Sequence, residues 1–177
     1  MTQRLANRKI MVLAEDLYED LELWYPVLRL REEGAKVLIV GTGEKTYEGK
    51  HGYPVTVDKH IDKVTGKNFD AVVIPGGYAP DRLRRYPTVI SLVREMYENG
   101  KVVAAICHAA WIPISAGIVK GKRMTCFFSI KDDLVNAGAL YEDSEVVCDG
   151  RLITSRQPAD LGAFCRQIIQ TLSQSPG

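Results

Sequence analysis

A cysteine and a histidine, Cys107 and His108, stand side by side directly after the apolar run KVVAAI. An apolar strand that runs into a cysteine and then into small residues is typical of a nucleophile elbow, a sharp turn that lifts one side chain above a sheet. The partial positive charge of a helix N-terminus at that turn would favour the thiolate and lower the pKa of the cysteine. Cys107 is therefore a candidate nucleophile. The alternative is a small buried residue at the end of a core strand.

His108 is the candidate proton-transfer group beside that sulfur. Adjacent residues that leave a sharp turn usually point in different directions. An imidazole folded back towards the sulfur would act as a general base or as a cation that stabilises the thiolate. The alternative is an ordinary surface or core histidine. The other two histidines, His51 and His60, lie in an irregular segment, and nothing in the sequence recommends them.

The loop PGGYAP, residues 75–80, offers backbone donors close to the predicted elbow. Adjacent glycines at the end of a strand allow backbone amides to approach a ligand closely. An amide from Gly77, together with one that follows Cys107, would form an oxyanion hole. Asp81 then stands beside the pocket or projects from it. The alternative is a plain turn, because Pro-Gly-Gly is common in turns.

Five carboxylates follow the first apolar run of the chain, and one of them is a candidate partner for the sulfur. Carboxylates are favoured in the first turn of a helix, so several of the five are expected to be capping or solvated groups. One of them, held protonated in the pocket, would donate a hydrogen bond to a thiolate. Periodicity does not choose among Glu15, Asp16, Glu19, Asp20 and Glu22.

Neither a metal nor a cofactor is expected from the motifs. The three histidines and the four cysteines show no metal-ligand spacing. The turn Gly41-Thr42-Gly43 lacks the helix and the remaining glycine of a dinucleotide fingerprint. The four cysteines are too few to staple a chain of this size, so we interpret them as thiols.

Short β-branched runs alternate with amphipathic stretches, which predicts a parallel sheet covered by helices on both faces. Buried strands are predicted at 9–14, 36–41, 69–74 and 101–106, an edge strand at 55–58, and a hairpin of 145–148 with 151–154. Helices are predicted from Leu21 to Gly34, with a bend or break at Pro26, and at 88–98, 129–137 and 159–172. In open α/β sheets ligands bind beyond the carboxyl ends of the strands, which selects the residues after 14, 74 and 106.

The composition is that of one ordinary globular domain. The chain has 177 residues, of which 46% are hydrophobic and 25% charged, and a net charge of +1. This balance gives no electrostatic case for nucleic acid or an anionic membrane, so a small or neutral target is expected. The start MTQRLANRK lacks the apolar region of a signal peptide, and no apolar run is long enough to span a membrane. We therefore expect a cytoplasmic protein.

Six segments together carry a family resemblance: EDLYEDLELWYPVLRLREEGAKV, GKHGYPVTVD, FDAVVIPGGYAPDRLR, VVAAICHAAWIPISAG, IKDDLVNAGA and ITSRQPADLGAF. The chain resembles the PfpI branch of the ThiJ/PfpI superfamily, which comprises intracellular cysteine peptidases and amidases. The likeness runs in order from Lys9 to about Leu172, which suggests an N-terminal extension at 1–8 and one domain at 9–174. The resemblance implies a flavodoxin-like, doubly wound α/β fold related to class I glutamine amidotransferases.

The resemblance also implies roles for particular residues. Cys107 is the expected nucleophile, and His108 is the expected base. Glu19 matches a family glutamate that hydrogen-bonds the sulfur, and Asp81 matches a carboxylate that completes the triad from a neighbouring subunit. Gly77 and the amide of His108 are expected at the oxyanion hole. A homo-oligomer follows, because the triad is assembled between subunits.

Departures from the family pattern mark the expected pocket wall and leave the substrate open. Relatives often have glycine and proline after the histidine, and a polar or tyrosyl residue near the pocket. The expected pocket residues here are Gly76, Tyr78, Ala109, Trp111 and Phe127.

Three functions remain possible at this stage. The first is a stress-related cysteine hydrolase that cleaves peptide or amide bonds. The second is a glyoxalase or deglycase, in which the sulfur adds to α-oxoaldehydes or to their adducts on proteins. The third is a redox stress sensor in which Cys107 itself is oxidised.

Overall fold

The computed structural model describes residues 3–174, and its centre is a sheet of parallel strands. The described strands are β1 (Lys9–Ala14), β2 (Lys36–Gly41), β3 (Thr46–Glu48), β4 (Pro54–Thr56), β5 (Lys59–His60), β6 (Ala71–Ile74), β7 (Val102–Ile106), β8 (Arg123–Met124), β9 (Leu140–Tyr141), β10 (Val147–Asp149) and β11 (Leu152–Ser155). Seven of them form one sheet in the order β10-β11-β7-β6-β1-β2-β5. All neighbours in it pair parallel except β10 with β11. The predicted doubly wound α/β fold of one domain is confirmed.

Helices cover both faces of this sheet. They are α1 (Asp20–Glu32), α2 (Ala79–Leu83), α3 (Pro87–Glu98), α4 (Trp111–Ser115), α5 (Lys131–Asn136) and α6 (Leu161–Ser173). The first and last helices pack on one face, where Val27 and Phe164 belong to the same buried cluster. The other helices pack on the opposite face, around Leu92 and Ile112. Both faces of the central strands are therefore buried, which explains why these strands read as continuous apolar runs.

The first helix differs from its prediction in two respects. The run Leu21, Trp24 and Leu28 has helical spacing, but Leu21 and Leu28 are 58% and 61% exposed. The core face consists of Leu23, Val27 and Leu30, which are wholly buried. Pro26 does not interrupt the helix, which is continuous from Asp20 to Glu32.

The predicted edge strand at 55–58 is wrong in position. Residues 54–56 pair with β3 in a separate two-stranded sheet, and the main sheet ends at β5. The reason lies in Asp58, whose N–H donates to the Ile39 carbonyl and whose carboxylate accepts from the Ile39 N–H, both at 2.8 Å. The chain joins β2 as a strand only after these two hydrogen bonds.

Residues before the first strand pack against the domain. Leu5 is wholly buried, and its N–H donates to the Glu33 carbonyl at 2.8 Å. Arg4 forms an ion pair of 2.6 Å with the Glu33 carboxylate. The predicted extension 1–8 is thus fixed to the end of α1 at residues 4 and 5, while residues 1 and 2 lie outside the described part. Across residues 3–174 no helix combines the length and the apolar character that crossing a bilayer requires.

Candidate active site

The turn after β7 has the backbone geometry of a nucleophile elbow. Cys107 has φ +63°, a left-handed conformation that costs a non-glycine residue roughly 1–2 kcal/mol. The chain enters a 3-10 turn at Cys107–Ala110 and continues into α4. The elbow predicted from the sequence is confirmed, and it places the cysteine at the carboxyl end of a central strand.

The two glycines of the PGG loop are required by close approach to this elbow. A Cβ on Gly76 would lie 2.6 Å from the Cys107 Cβ and closer still to a carboxylate oxygen of Glu22. Gly77 has φ +77°, and a Cβ there would lie 2.5 Å from the backbone oxygen of Leu17. The glycine pair is therefore a packing requirement of the site and not merely a turn.

Two backbone donors converge on the sulfur. The N–H groups of Gly77 and His108 both hydrogen-bond to Cys107, and each favours its ionised form and so lowers its pKa. These are the two amides that the sequence and the resemblance assign to an oxyanion hole. A carbonyl oxygen bound next to the sulfur could use the same donors.

The carboxyl group beside the sulfur belongs to Glu22, so the expectation for Glu19 is wrong. Glu19 is the N-cap of α1, where its carboxylate accepts the Glu22 N–H at 3.0 Å. Glu22, three residues further on, is wholly buried beside Cys107, and each of the two groups shifts the pKa of the other. Its Oε2 accepts the Gly76 N–H at 2.8 Å, and its Oε1 has no hydrogen-bond partner within residues 3–174. Capping commits Glu19 to the helix backbone, and the first turn of the helix aims Glu22 inward.

The Glu22 carboxyl group and the Cys107 thiol both hold their protons strongly. Burial raises the pKa of the Glu22 carboxyl from 4.5 to about 8. Burial, followed by the negative charge of Glu22, raises the pKa of the Cys107 thiol from 9.0 to about 12. The predicted lowering of the Cys107 pKa is therefore wrong. Cys107 is only 7% exposed, and the helix after the elbow, α4, has only five residues and hence a weak dipole.

His108 folds back towards the sulfur, as one of the two sequence interpretations requires. Its Nδ1 lies 3.2 Å from the Cys107 Sγ, and its Nε2 lies 3.1 Å from the Ser129 hydroxyl oxygen. Burial, and then the charge of Lys50, lowers the pKa of the imidazole below 6.5. The ring is therefore neutral at pH 7 and able to accept a proton from the thiol.

Asp81 does not reach His108 of the same chain. It lies in α2 with its side chain half exposed and forms an ion pair with Arg85. The expected contribution of this carboxylate from a neighbouring subunit stays a prediction.

A cleft of about 420 Å³ opens above the sulfur. Of the predicted pocket residues, Tyr78 and Phe127 line it, together with Gly77. Gly76 lies beneath, packed against Cys107 and Glu22, and Ala109 is wholly buried in the core. The full lining is Glu19, Glu22, Lys50, Gly77, Tyr78, Cys107, His108, Phe127 and Pro158.

The predicted pocket residue Trp111 lies behind His108. Its ring is edge-on to the imidazole at 5.4 Å, and its indole N–H donates to Asp133 at 2.8 Å. The sequence reasoning did not find Lys50, Ser129 or Pro158. Each lies far in the chain from the Cys107-His108 pair and from the PGG loop, and no spacing signal connects them to either.

Glu19, Asp20 and His51 form a polar cluster at the start of α1. Three potential ligand atoms lie within 4.8 Å of one another. The Asp20 carboxylate, however, already accepts from the N–H groups of His51 and Tyr53, at 3.0 and 3.2 Å. These hydrogen bonds account for the cluster without an ion.

A parallel α/β domain with a cysteine elbow, a buried carboxyl group and a histidine at one strand end defines a class of proteins that use a cysteine above the sheet. The chain belongs to the DJ-1/PfpI family, whose profile matches residues 8–171. It is 47% identical over 164 residues to "Deglycase PH1704" of Pyrococcus horikoshii, covering 93% of this chain and 99% of that protein. It is 42% identical over 167 residues to "Putative cysteine protease YraA" of Bacillus subtilis, covering 94% of this chain and 99% of that protein.

Solved structures agree with this placement. A two-domain protein of Anabaena variabilis, with a DJ-1/ThiJ/PfpI-like and a ferritin-like domain, superposes with a TM-score of 0.92 at 40% identity. The match covers 94% of this chain and 48% of that one. Membership of the family and the names of the relatives support an enzyme, since those names include several deglycases and one "putative cysteine protease".

Proposed function

We propose that the protein is a cysteine-dependent enzyme that converts α-oxoaldehydes, free or as adducts on proteins, to α-hydroxy acids. The observation that carries the proposal is the Glu22 carboxyl group, buried beside the sulfur with a pKa of about 8. Such a group both releases and accepts a proton near neutral pH. Conversion of an oxoaldehyde requires this ability, because a proton must move from one carbon to its neighbour.

The chemistry balances without an oxidant or a cofactor. The thiol proton passes to Nδ1 of His108 while Sγ bonds to the aldehyde carbon, and His108 then gives that proton to the aldehyde oxygen, which makes a hemithioacetal. Glu22 removes the proton from that carbon and returns one to the neighbouring carbonyl carbon. The hemithioacetal hydroxyl at the same time gives its proton to the oxygen of that neighbouring carbon, which leaves a thioester of the hydroxy acid. Water then hydrolyses the thioester and restores the thiol. The N–H groups of Gly77 and His108 bind the oxygen on which charge develops.

Cysteine hydrolysis of peptide or amide bonds is the second candidate. It is favoured by the 3.2 Å contact between the sulfur and Nδ1 of His108, together with two amide donors at the sulfur. Acyl transfer needs no proton movement between carbons, so it does not require the proton exchange that Glu22 can provide. The cleft volume of about 420 Å³ also suits a small carbonyl compound better than an extended chain.

The redox sensor stays a prediction that the site does not favour. Oxidation by peroxide proceeds through the thiolate, and Cys107 is buried with its pKa raised to about 12.

The two enzymatic functions separate in one experiment. Purified protein is incubated with methylglyoxal and with a peptide amide, and lactate and amine are measured. We expect lactate, and we expect Cys107→Ala to abolish its formation. Amine release that depends on Cys107, without lactate, would favour the hydrolase, and lactate formation by Cys107→Ala would overturn both.

A further inference from the structure

The imidazole of His108 contacts four side chains of its own chain. Its two nitrogens contact the Cys107 sulfur at 3.2 Å and the Ser129 hydroxyl at 3.1 Å. Its faces are packed by Phe127 at 5.0 Å and by the edge-on Trp111 at 5.4 Å between ring centroids. The aromatic rings fix the plane of the imidazole, but they do not determine which nitrogen carries the proton.

The proton on the imidazole has one productive position. A base that takes the thiol proton must present an unprotonated nitrogen to the sulfur, so Nδ1 must carry the lone pair and Nε2 the hydrogen. The Ser129 oxygen then accepts the Nε2–H hydrogen bond. A hydroxyl can do this in both protonation states of the ring, because after proton transfer Nε2 still carries its hydrogen.

We infer that Ser129 is the positioning residue that orients His108 and selects its reactive tautomer within a single subunit. The resemblance gives the orienting role to the Asp81 carboxylate of another subunit, whereas within residues 3–174 Nε2 lies 3.1 Å from the Ser129 hydroxyl oxygen. The inference rests on the proposed function only in requiring His108 to accept the thiol proton.

The charged groups around the ring are consistent with a neutral partner on Nε2. Lys50, Glu19 and Glu22 line the same cleft, and Asp133 is reached only through the indole of Trp111. No carboxylate contacts either imidazole nitrogen within residues 3–174. A carboxylate placed on Nε2 would raise the pKa of the imidazole, whereas a hydroxyl leaves it low.

Three variants of Ser129 and a matched control test this role. Ser129 is exposed in the 3-10 turn Phe128–Ile130, so substitution does not open the core. Ser129→Ala removes the acceptor, Ser129→Thr keeps it, and Ser129→Asp replaces it with a carboxylate. Ser144→Ala removes a half-buried hydroxyl that donates to the Val146 carbonyl in its own loop.

Two readouts are followed as functions of pH. One is the rate at which iodoacetamide alkylates Cys107, measured by mass spectrometry of the peptide that contains it. The other is kcat and KM for lactate formation from methylglyoxal. For Ser129→Ala we expect alkylation and kcat to fall about tenfold with KM little changed, as for loss of one hydrogen bond in the transition state. Ser129→Thr should restore both rates.

Ser129→Asp gives a signature that a purely structural role would not produce. The added carboxylate raises the pKa of His108, so the rising limb of both pH profiles should move to higher pH. Ser144→Ala should match the native protein throughout.

Several results would overturn the inference. These are a Ser129→Ala profile identical to the native one, a loss that Ser129→Thr fails to restore, or an unmoved limb in Ser129→Asp. If Asp81→Asn has the effect expected of Ser129→Ala, the neighbouring subunit provides the orienting group. Alkylation tests Ser129 even if no lactate forms, so failure of the proposed function is distinguishable.

Discussion

At the scale of single residues, the site consists of groups held in costly states. Cys107 adopts a left-handed backbone conformation, and Glu22 keeps a carboxyl group in the interior. Neither state is stable by itself, so both depend on the surrounding contacts. Gly76 of the PGG loop provides one of those contacts, because it brings backbone up to both side chains.

The first prediction concerns Gly77. Gly77→Ala adds a left-handed strain of roughly 1–2 kcal/mol and also a Cβ 2.5 Å from the Leu17 oxygen and the Glu19 nitrogen. Gly100 has φ +71° with open space around it, so Gly100→Ala carries the strain without the clash. Urea unfolding should show Gly77→Ala to be the less stable variant by at least about 2 kcal/mol. Equal losses in the two variants would contradict the close approach.

The second prediction concerns the pH dependence of stability. The Glu22 carboxyl has a pKa of about 8 in the folded protein against 4.5 in the unfolded chain. Between these values the folded state binds a proton that the unfolded state has lost, so stability falls as the pH rises. One pKa unit is worth about 1.4 kcal/mol, which makes the fall up to about 5 kcal/mol.

Glu22→Gln removes this dependence while keeping an acceptor for the Gly76 N–H. Urea titrations at pH 4.5 and pH 8.5 give the unfolding free energies of the native protein and of the variant. The two values should be similar at pH 4.5, and the variant should be the more stable protein at pH 8.5. A native protein whose stability relative to Glu22→Gln is independent of pH would show that Glu22 ionises normally.

At the scale of elements, the sequence predicts best what is buried on two sides. The bounds of β1 and β2 were predicted to the residue, since continuous apolar runs indicate strands of a covered parallel sheet. The pairs β3 with β4 and β8 with β9 were not predicted, because strands of two or three residues have too short a pattern.

In the candidate site, too, the features with a local sequence signal could be predicted and the others could not. The elbow and the PGG loop are local signals and were found. The assignment of Glu19 in place of Glu22 is wrong because a carboxylate near the start of a helix can either cap the helix or enter the site. Only the residue at which the helix begins decides which of the two carboxylates is the cap. Ser129 and Lys50 approach the site through tertiary structure, which no spacing in the chain records.

A prediction at this scale concerns the turn between β2 and β3. The Tyr47 phenol oxygen accepts the N–H groups of Thr42, Gly43 and Glu44 at 2.9–3.0 Å, and the side chain is 2% exposed. Tyr47→Phe leaves these donors without their acceptor and should cost about 1–3 kcal/mol of unfolding free energy. Tyr86→Phe, at an exposed tyrosine, should cost less than about 0.5 kcal/mol. A Tyr47→Phe variant with the unfolding free energy of the native protein would show that water replaces the phenol oxygen as the acceptor.

At the scale of the whole molecule, one face of α1 is unusually apolar for an exposed surface. Leu21, Tyr25 and Leu28 are 58%, 40% and 61% exposed, and Tyr53 beside them is 61% exposed. With Trp24 and Asp20 they border a groove of about 430 Å³. Exposed apolar patches of this kind mark interaction sites.

We propose that a second copy of the chain covers this face, because spacings of four and seven residues suit packing of α1 against another helix. Leu21→Lys with Leu28→Lys should lower the molar mass measured by light scattering, whereas Leu140→Lys, at a 58% exposed leucine on β9, should not. An unchanged mass in the double variant would exclude this face.

The assignment of Glu22 is tested most directly by the pH profile of kcat/KM for lactate formation from methylglyoxal in the native protein, Glu22→Gln and Glu19→Gln. Proton transfer by a positioned carboxyl group contributes about a hundredfold or more, so Glu22→Gln should lose at least that factor at every pH. Glu19→Gln keeps a capping oxygen and should lose less than about tenfold. A Glu22→Gln enzyme as active as the native one, or a larger loss in Glu19→Gln, would contradict the account.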